Sequence, residues 1–403
     1  MRKCMRLISA EGVDLKTLGK SKMVGNPIDV LIDAVELTRQ LIRFNTINPP
    51  GNEQACAEHL GAILEQSGFQ ISYHAFGPGR TSLVARIGGD AERPPLCFTG
   101  HIDTVPLGHK DWSVDPFAAD IVDGKMFGRG TSDMKSGVAA FVAAVTSIAS
   151  TLEEGPGVVL VITAGEETGC EGAFHLAELD GVLGSAGAIV VAEPTSNYPF
   201  VGHNGALWLK AHTDGVTAHG SMPEFGVNAI YKAARAVSKL EDFDFNVARH
   251  DVMGGPTLNV GTLQGGLNVN SVPDYAEIGI DVRTIPGQKN ADVADHLATY
   301  LGDEVNIQPI VNVEGVWTNP DDFWMQEVFD LMEAVLDEPI TNQTASYFTD
   351  ASALTPAYGG VPTVILGPGE ASMAHQTDEY CFVSRIEQAV GVYRELAKRW
   401  SLR

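Results

Sequence analysis

The chain has 403 residues, too many for one ordinary hydrophobic core, so its length predicts more than one domain. Hydrophobic residues make up 44% and charged residues 19%, a globular rather than a disordered balance. A net charge of −24 excludes nucleic acid as a partner, since phosphate binding needs a basic face, and disfavours an acidic polymer as substrate.

The N-terminus opens on Arg2, Lys3 and Arg6, but Glu11, Asp14 and Lys16 interrupt the apolar stretch that a signal peptide would need. Residues 1–25 therefore read as a loose extension. No apolar run reaches the roughly 18 residues that span a membrane. Cys4, Cys56, Cys97, Cys170 and Cys381 are odd in number and scattered, which predicts free thiols and a cytoplasmic location.

Asn26-Pro27 supplies an N-cap and a first-turn proline, predicting a helix over 26–43. A second helix is expected over 53–66, stopped at Ser67-Gly68. Apolar strand-like runs follow at 83–87, 96–99, 158–164, 188–192 and 361–366, with helical stretches between them, notably 134–152. Short continuous apolar strands alternating with helices predict an α/β fold, a sheet covered on both faces. Between 205 and 313 the rhythm changes to strand 207–211, helix 228–240, strands 258–263 and 276–283, helix 291–301 and strand 305–311. That β-α-β-β-α-β order is the split ferredoxin-like unit. The expected division is therefore 26–203 with 314–403 as the larger domain and 204–313 as an insertion.

Ligands of α/β sheets bind beyond the carboxyl ends of the strands, and the chain is rich in polar residues at those places. They are His101 and Asp103, Asp133 at the mouth of a helix, Glu166-Glu167, Glu193, and finally His375. Imidazoles mixed with carboxylates suit zinc, cobalt or manganese better than calcium or magnesium. His101 and Asp103, two apart on extended backbone, face one side, so the carboxylate can take the proton of the ligand's other ring nitrogen. Asp133, in the middle of the series, is the natural bridge between two metals. Glu166 and Glu167 point apart, so one can bind metal while the other faces substrate as general base. Gly128-Arg129-Gly130 before a helix hints at a nucleotide site, but Asp133 stands where the third glycine belongs and would repel a pyrophosphate.

The segments Gly100-His101-Ile102-Asp103-Thr104-Val105-Pro106, Gly128 to Lys135, Gly165-Glu166-Glu167-Thr168-Gly169 and Ala192-Glu193-Pro194-Thr195 resemble the metal motifs of a zinc hydrolase family. That family includes acetylornithine deacetylase, succinyl-diaminopimelate desuccinylase, aminoacylase and glutamate carboxypeptidase, and the resemblance runs over about residues 28 to 400. It implies a di-zinc catalytic domain with a mixed sheet, an inserted lid and dimerisation domain, and two Zn2+ per chain, with Co2+ or Mn2+ able to substitute. His101, Asp133 and Glu193 would hold one metal, and Asp133, Glu167 and His375 the other. Asp103 would orient His101, and Glu166 would be the general base. Thr217-Ala218-His219-Gly220-Ser221 is similar to the family's lid histidine, often supplied by a partner subunit of a homodimer. The stretch 265–273, with Asn270, and Arg283 beyond it resemble the segment that grips the substrate carboxylate. Gly367 and Gly369 fall among the implied substrate-binding residues. Two departures stand out: Asn270-Ser271-Val272-Pro273 replaces Asn-Val-Ile-Pro, and Cys170 follows Gly169.

The resemblance, nearest to the acetylornithine deacetylase branch, implies that a zinc-bridging hydroxide removes a short N-acyl group, acetyl or succinyl, from a small-molecule amino-acid substrate. A carboxypeptidase or dipeptidase of the same family is the alternative. A dinuclear aminopeptidase would bind a free amine and have little use for Arg283.

Overall fold

The strand Val158–Thr163 is built from Val, Leu, Ile and Thr with every residue buried, as a strand covered on both faces must be. It lies inside a nine-stranded sheet. The structure, a computed structural model, describes residues 28–89 and 92–402. The sheet runs Gln70–Gly77, Arg80–Ile87, Val158–Thr163, Leu96–His101, Ala188–Val191, Thr363–Ile365, Phe200–His203, Val316–Trp317, with Gln343–Ala345 also paired to Phe200–His203. The pairings of Leu96–His101 with both neighbours, and of Thr363–Ile365 with Ala188–Val191, are parallel. Arg80–Ile87 pairs antiparallel with Val158–Thr163, so the sheet is mixed.

Alternation along these strands feeds two cores. Leu96, Phe98, Leu160 and Ile162 join one cluster with Leu60, Val138 and Tyr393, from helices Gln54–Gln66, Lys135–Thr146 and Val383–Leu402. Cys97, Val159 and Val161 point to the other face, against Ala173, Leu176, Ala353 and Leu354 of helices Glu171–Glu178 and Ala351–Ala357. Because the central strands are parallel, their carboxyl ends share one edge, and the loops that leave it carry the polar residues singled out above.

The insertion forms its own four-stranded antiparallel sheet in the order Thr257–Gly265, Tyr275–Thr284, Gly205–Asp214, Asn306–Val313. Helices Ala229–Glu241 and Asn290–Leu301 cover one face of it through Ala233, Leu240, Val293 and Leu297. The other face joins the second core at one end through Ala206, Val311 and Val313 and is exposed at the other, where Lys210 and Glu277 pair.

Two helix boundaries differ from expectation. The first helix is Ala34–Ile42, capped by the Asp33 carboxylate, which accepts from the amides of Val35 and Glu36. Asn26-Pro27 and the extension 1–25 lie outside the described residues. Asp33 wins as the cap because its side chain reaches two otherwise unpaired amides of the first turn. The stretch 134–152 is two helices, Lys135–Thr146 and Ala149–Glu153, broken at Ser147-Ile148. Among the described residues the cysteines are free and buried, and no helix is long and apolar enough to cross a membrane.

Candidate metal centre

His101 is the last residue of strand Leu96–His101 and is 1% exposed. Its Nδ1 donates to the backbone carbonyl of Asp103 at 2.9 Å, with the Asp103 carboxylate at 3.5 Å. The closer partner is thus the carbonyl, because the chain leaves the strand at His101 and turns its peptide back toward the ring. The Asp103 carboxylate also accepts from the amides of Glu166 at 3.1 Å and Glu167 at 3.2 Å, and from Asn48 Nδ2 at 2.9 Å. One buried carboxylate therefore fixes both the imidazole and the two-glutamate loop. Burial pushes the Asp103 carboxyl up, but its hydrogen bond to His101 and that ring's charge outweigh burial and leave it below the ordinary range.

Nε2 of His101 faces Asp133 Oδ1 at 3.1 Å and Glu193 Oε1 at 3.7 Å. Asp133 presents its other oxygen, Oδ2, to His375 Nε2 at 3.4 Å, and His375 Nε2 lies 3.0 Å from Glu167 Oε2. Two ligand groups follow, His101 with Asp133 and Glu193, and Asp133 with Glu167 and His375, each with all donor atoms within 4.8 Å of one another. Asp133 belongs to both, with one oxygen turned to each. Glu167 Oε1 is buried without a hydrogen-bond partner among the described residues, as a carboxylate oxygen awaiting a cation would be. The donor set and its shared carboxylate fit a pair of divalent metals.

The electrostatics agree. Burial, reinforced by neighbouring carboxylates, pushes Glu166 and Glu193 well above the usual carboxylate range, though the charge of His101 opposes it. Burial and then Asp133 raise Glu167. Hydrogen bonds to Asp133 and Glu167 raise His375 to about 10. His101 lies well above its ordinary value despite burial, because Asp103 and Asp133 hold its charged form. Such a cluster is short of positive charge, which two dications supply.

A cavity of about 300 Å³ opens over this cluster and includes Glu166, Trp208, Arg283, Tyr347 and Phe348 in its wall. Glu166 lies on the His101 side, its Oε2 4.0 Å from Nε2, and outside both ligand groups. Cys170 is buried beneath it, Sγ 4.0 Å from Glu166 Oε1. Arg283 reaches the cavity from the four-stranded sheet while its Nε pairs with Asp281 at 3.0 Å.

His219 and Asn270 are exposed and do not line the cavity. They lie together instead, His219 in register with Ser271 and the Gly220 amide donating to the Asn270 carbonyl at 2.7 Å. Gly367 and Gly369 allow close backbone approach: a Cβ would sit 2.2 Å from the Ala192 carbonyl oxygen at the first and 2.1 Å from that of Ser132 at the second. Gly367 packs just past the end of strand Ala188–Val191 and Gly369 against the turn before helix Lys135–Thr146, and neither is part of the cavity wall.

Residues without a predicted role also shape the centre. Glu379, fully buried, accepts from the amides of Gly130, Ser132 and Asp133 and pairs with Arg129 Nη1 at 2.6 Å. Arg129 in turn donates to the carbonyls of Gln376 at 3.2 Å and Pro106 at 3.1 Å, tying three ligand-bearing segments together. Burial raises the Glu379 carboxyl to about 7, with Arg129 pulling the other way. An acid four residues after His375 and an arginine between two glycines were the available signals. Neither indicates that the two meet across 250 residues of chain.

Residues 97–399 match the profile of Peptidase family M20/M25/M40. The chain is 30% identical to acetylornithine deacetylase of Proteus mirabilis, over 91% of this chain and 97% of that protein. It is 30% identical to succinyl-diaminopimelate desuccinylase of Wolbachia pipientis subsp. Culex pipiens, over 92% and 94% respectively. Its fold superposes on a metallo-carboxypeptidase of Sulfolobus solfataricus with a TM-score of 0.78 at 17% identity, covering 93% of this chain and all (100%) of that one.

Proposed function

This chain belongs to Peptidase family M20/M25/M40, a family of hydrolases acting on amide bonds, and we propose that it removes a short N-acyl group, acetyl or succinyl, from an amino acid. The observation that carries the reading is the pair of ligand groups sharing Asp133, with Glu166 beside them and Arg283 across the same cavity.

His101, Asp133 and Glu193 hold one metal and Asp133, Glu167 and His375 the second; zinc is the expected ion, and cobalt or manganese suits the same donors. When bound, the metals polarise the scissile carbonyl and make the attacking water more acidic. Glu166 takes that water's proton and passes it to the leaving nitrogen. Asp103 keeps Glu166 in place through its amide. Among the described residues Arg283 is the one guanidinium in the cavity wall, and it binds the substrate's α-carboxylate, for which its planar fork is suited.

His219 and Asn270 complete the substrate site when two chains pair, and Gly367 and Gly369 serve it within the chain by the close backbone packing beside Glu193. Residues 26–203 with 314–403 form the catalytic domain, and 204–313 the lid through which a homodimer forms. The support is a surface of exposed Phe225, Tyr231, Leu267 and Val269, together with the edge strand Thr257–Gly265, whose outer side no described strand covers. Mixing inactive Glu166→Ala and His219→Ala chains tests this. If His219 acts on the partner's site, one site of each mixed dimer is intact and activity returns. Confirmed subunit exchange without activity would place His219 in its own chain's site. The buried free cysteines fit a cytoplasmic enzyme.

A carboxypeptidase or dipeptidase is the second reading, favoured by the fact that Arg283 would hold a C-terminal carboxylate equally well. A hydrolysis screen of N-acetyl, N-succinyl and N-formyl amino acids against dipeptides, with zinc and with cobalt, separates the two. Cleavage of dipeptides alone rejects the deacylase.

A further inference from the structure

Strand Gly205–Asp214 pairs with Tyr275–Thr284 so that Ala206 faces Arg283 and Trp208 faces Asp281. Alternation then puts Trp208, Asp281 and Arg283 on the face of the four-stranded sheet away from its helices, with Trp208 diagonal to Arg283. Across the cavity, the Trp208 ring meets Phe348 edge to face, centroids 6.3 Å apart. Tyr347 gives its hydroxyl to the Pro194 carbonyl at 2.9 Å, so it turns an aromatic ring rather than a polar group to the cavity. The indole N–H of Trp208 is buried and makes no hydrogen bond among the described residues. Of those residues, the only carboxylates in the wall are the four at the metal centre, and the cations are Arg283 and His375.

A substrate whose α-carboxylate sits on Arg283 therefore brings its side chain against an aromatic wall. We propose that this side chain is large, apolar and uncharged, and that Trp208 and Phe348 select it. The ammonium of N-acetylornithine, or the second amino-acid head of N-succinyl-diaminopimelate, would lose water there without a free carboxylate or second guanidinium to replace it. The inference rests on the reading of Arg283 as the carboxylate anchor and deepens it by naming the substrate class.

The test compares kcat/KM of the metal-loaded enzyme for the phenylalanine, alanine and ornithine members of both the N-acetyl and the N-succinyl series. Phenylalanine should exceed ornithine by at least about 10-fold, the scale on which apolar pockets discriminate. Equal rates or the reverse order overturn the inference. Trp208→Ala should pull the phenylalanine-to-alanine ratio toward one, whereas an equal loss on both substrates would show that Trp208 only supports the fold. Phe348→Ala supplies the same comparison if the first variant does not fold. If dipeptides alone are cleaved, the deacylase reading falls, and Gly-Phe, Gly-Ala and Gly-Orn decide the side-chain preference by the same ratios. A metal-loaded enzyme that cleaves none of these overturns both.

Discussion

At the carboxyl edge of the nine-stranded sheet the polar side chains are buried and held by one another, Asp103 by three donors and Glu379 by four. At the exposed end of the four-stranded sheet's helix-free face the pattern is the reverse. There Lys210 and Glu277 pair at 2.7 Å in solvent, with side chains 42% and 36% exposed. His219 and Asn270 also lie at the surface of that insertion. One chain supplies all five residues of the two candidate ligand groups. The insertion contributes Arg283 and Trp208 to the same cavity and leaves the Lys210–Glu277 end of that face polar and exposed.

The contrast is broken most sharply at the two adjacent glutamates. Glu166→Ala should lower kcat by about 10²–10⁴-fold, the usual worth of a positioned general base, with metal content intact. Glu167→Ala should instead lose metal. Elemental analysis beside steady-state rates separates them, and swapped phenotypes would reverse the assignment.

Next in size is the pair that ties the ligand segments together. Glu379→Ala leaves the Arg129 guanidinium buried without its carboxylate and should cost about 3–5 kcal/mol of stability in denaturant unfolding. An unchanged midpoint would mean that the carbonyls of Gln376 and Pro106 suffice for Arg129.

A smaller effect sits where the two sheets join. His203 ends strand Phe200–His203, immediately before the insertion, and burial lowers its imidazole to about 4, with the Asn204 carbonyl pulling slightly upward. The unfolded chain takes up this proton near pH ~6.5 while the native protein does not. Its share of stability is therefore complete above about pH 6.5 and falls as the pH drops toward about 4, by on the order of 3 kcal/mol in all. Thermal unfolding between those pH values should show a shallower slope in His203→Asn than in the natural protein, and parallel slopes would remove this account. The smallest effect belongs to the insertion: Lys210→Ala should leave the unfolding midpoint within experimental scatter, because an exposed pair is screened by water and salt.

The residues of the two candidate ligand groups were legible in sequence because His101, Glu167, Glu193 and His375 follow parallel neighbouring strands that deliver them to one edge, and Asp133 stands at the mouth of a helix beside them. The β-α-β-β-α-β rhythm was legible for a similar reason: helix and strand periods alternate cleanly from 205 to 313. What escaped were contacts between distant segments. Trp208 looks like any aromatic on an amphipathic strand until Phe348 closes against it, and Glu379 like any surface acid until Arg129 does. The start of the first helix was missed because Asn26-Pro27 and Asp33 both signal an N-cap, and local sequence does not rank them.

Helix Lys135–Thr146 begins two residues after Asp133, and all twelve of its residues are buried. Lys135 itself is inside, its ammonium donating to the carbonyls of Leu41 at 3.1 Å and Phe44 at 2.9 Å as they leave the first helix. Helices Ala34–Ile42 and Val383–Leu402 pack against it, and strand Leu96–His101 lies beneath. A helix enclosed in this way should rank among the slowest parts of the chain to exchange its amide hydrogens with solvent. Asp133, the carboxylate common to both ligand groups, stands at the mouth of that helix.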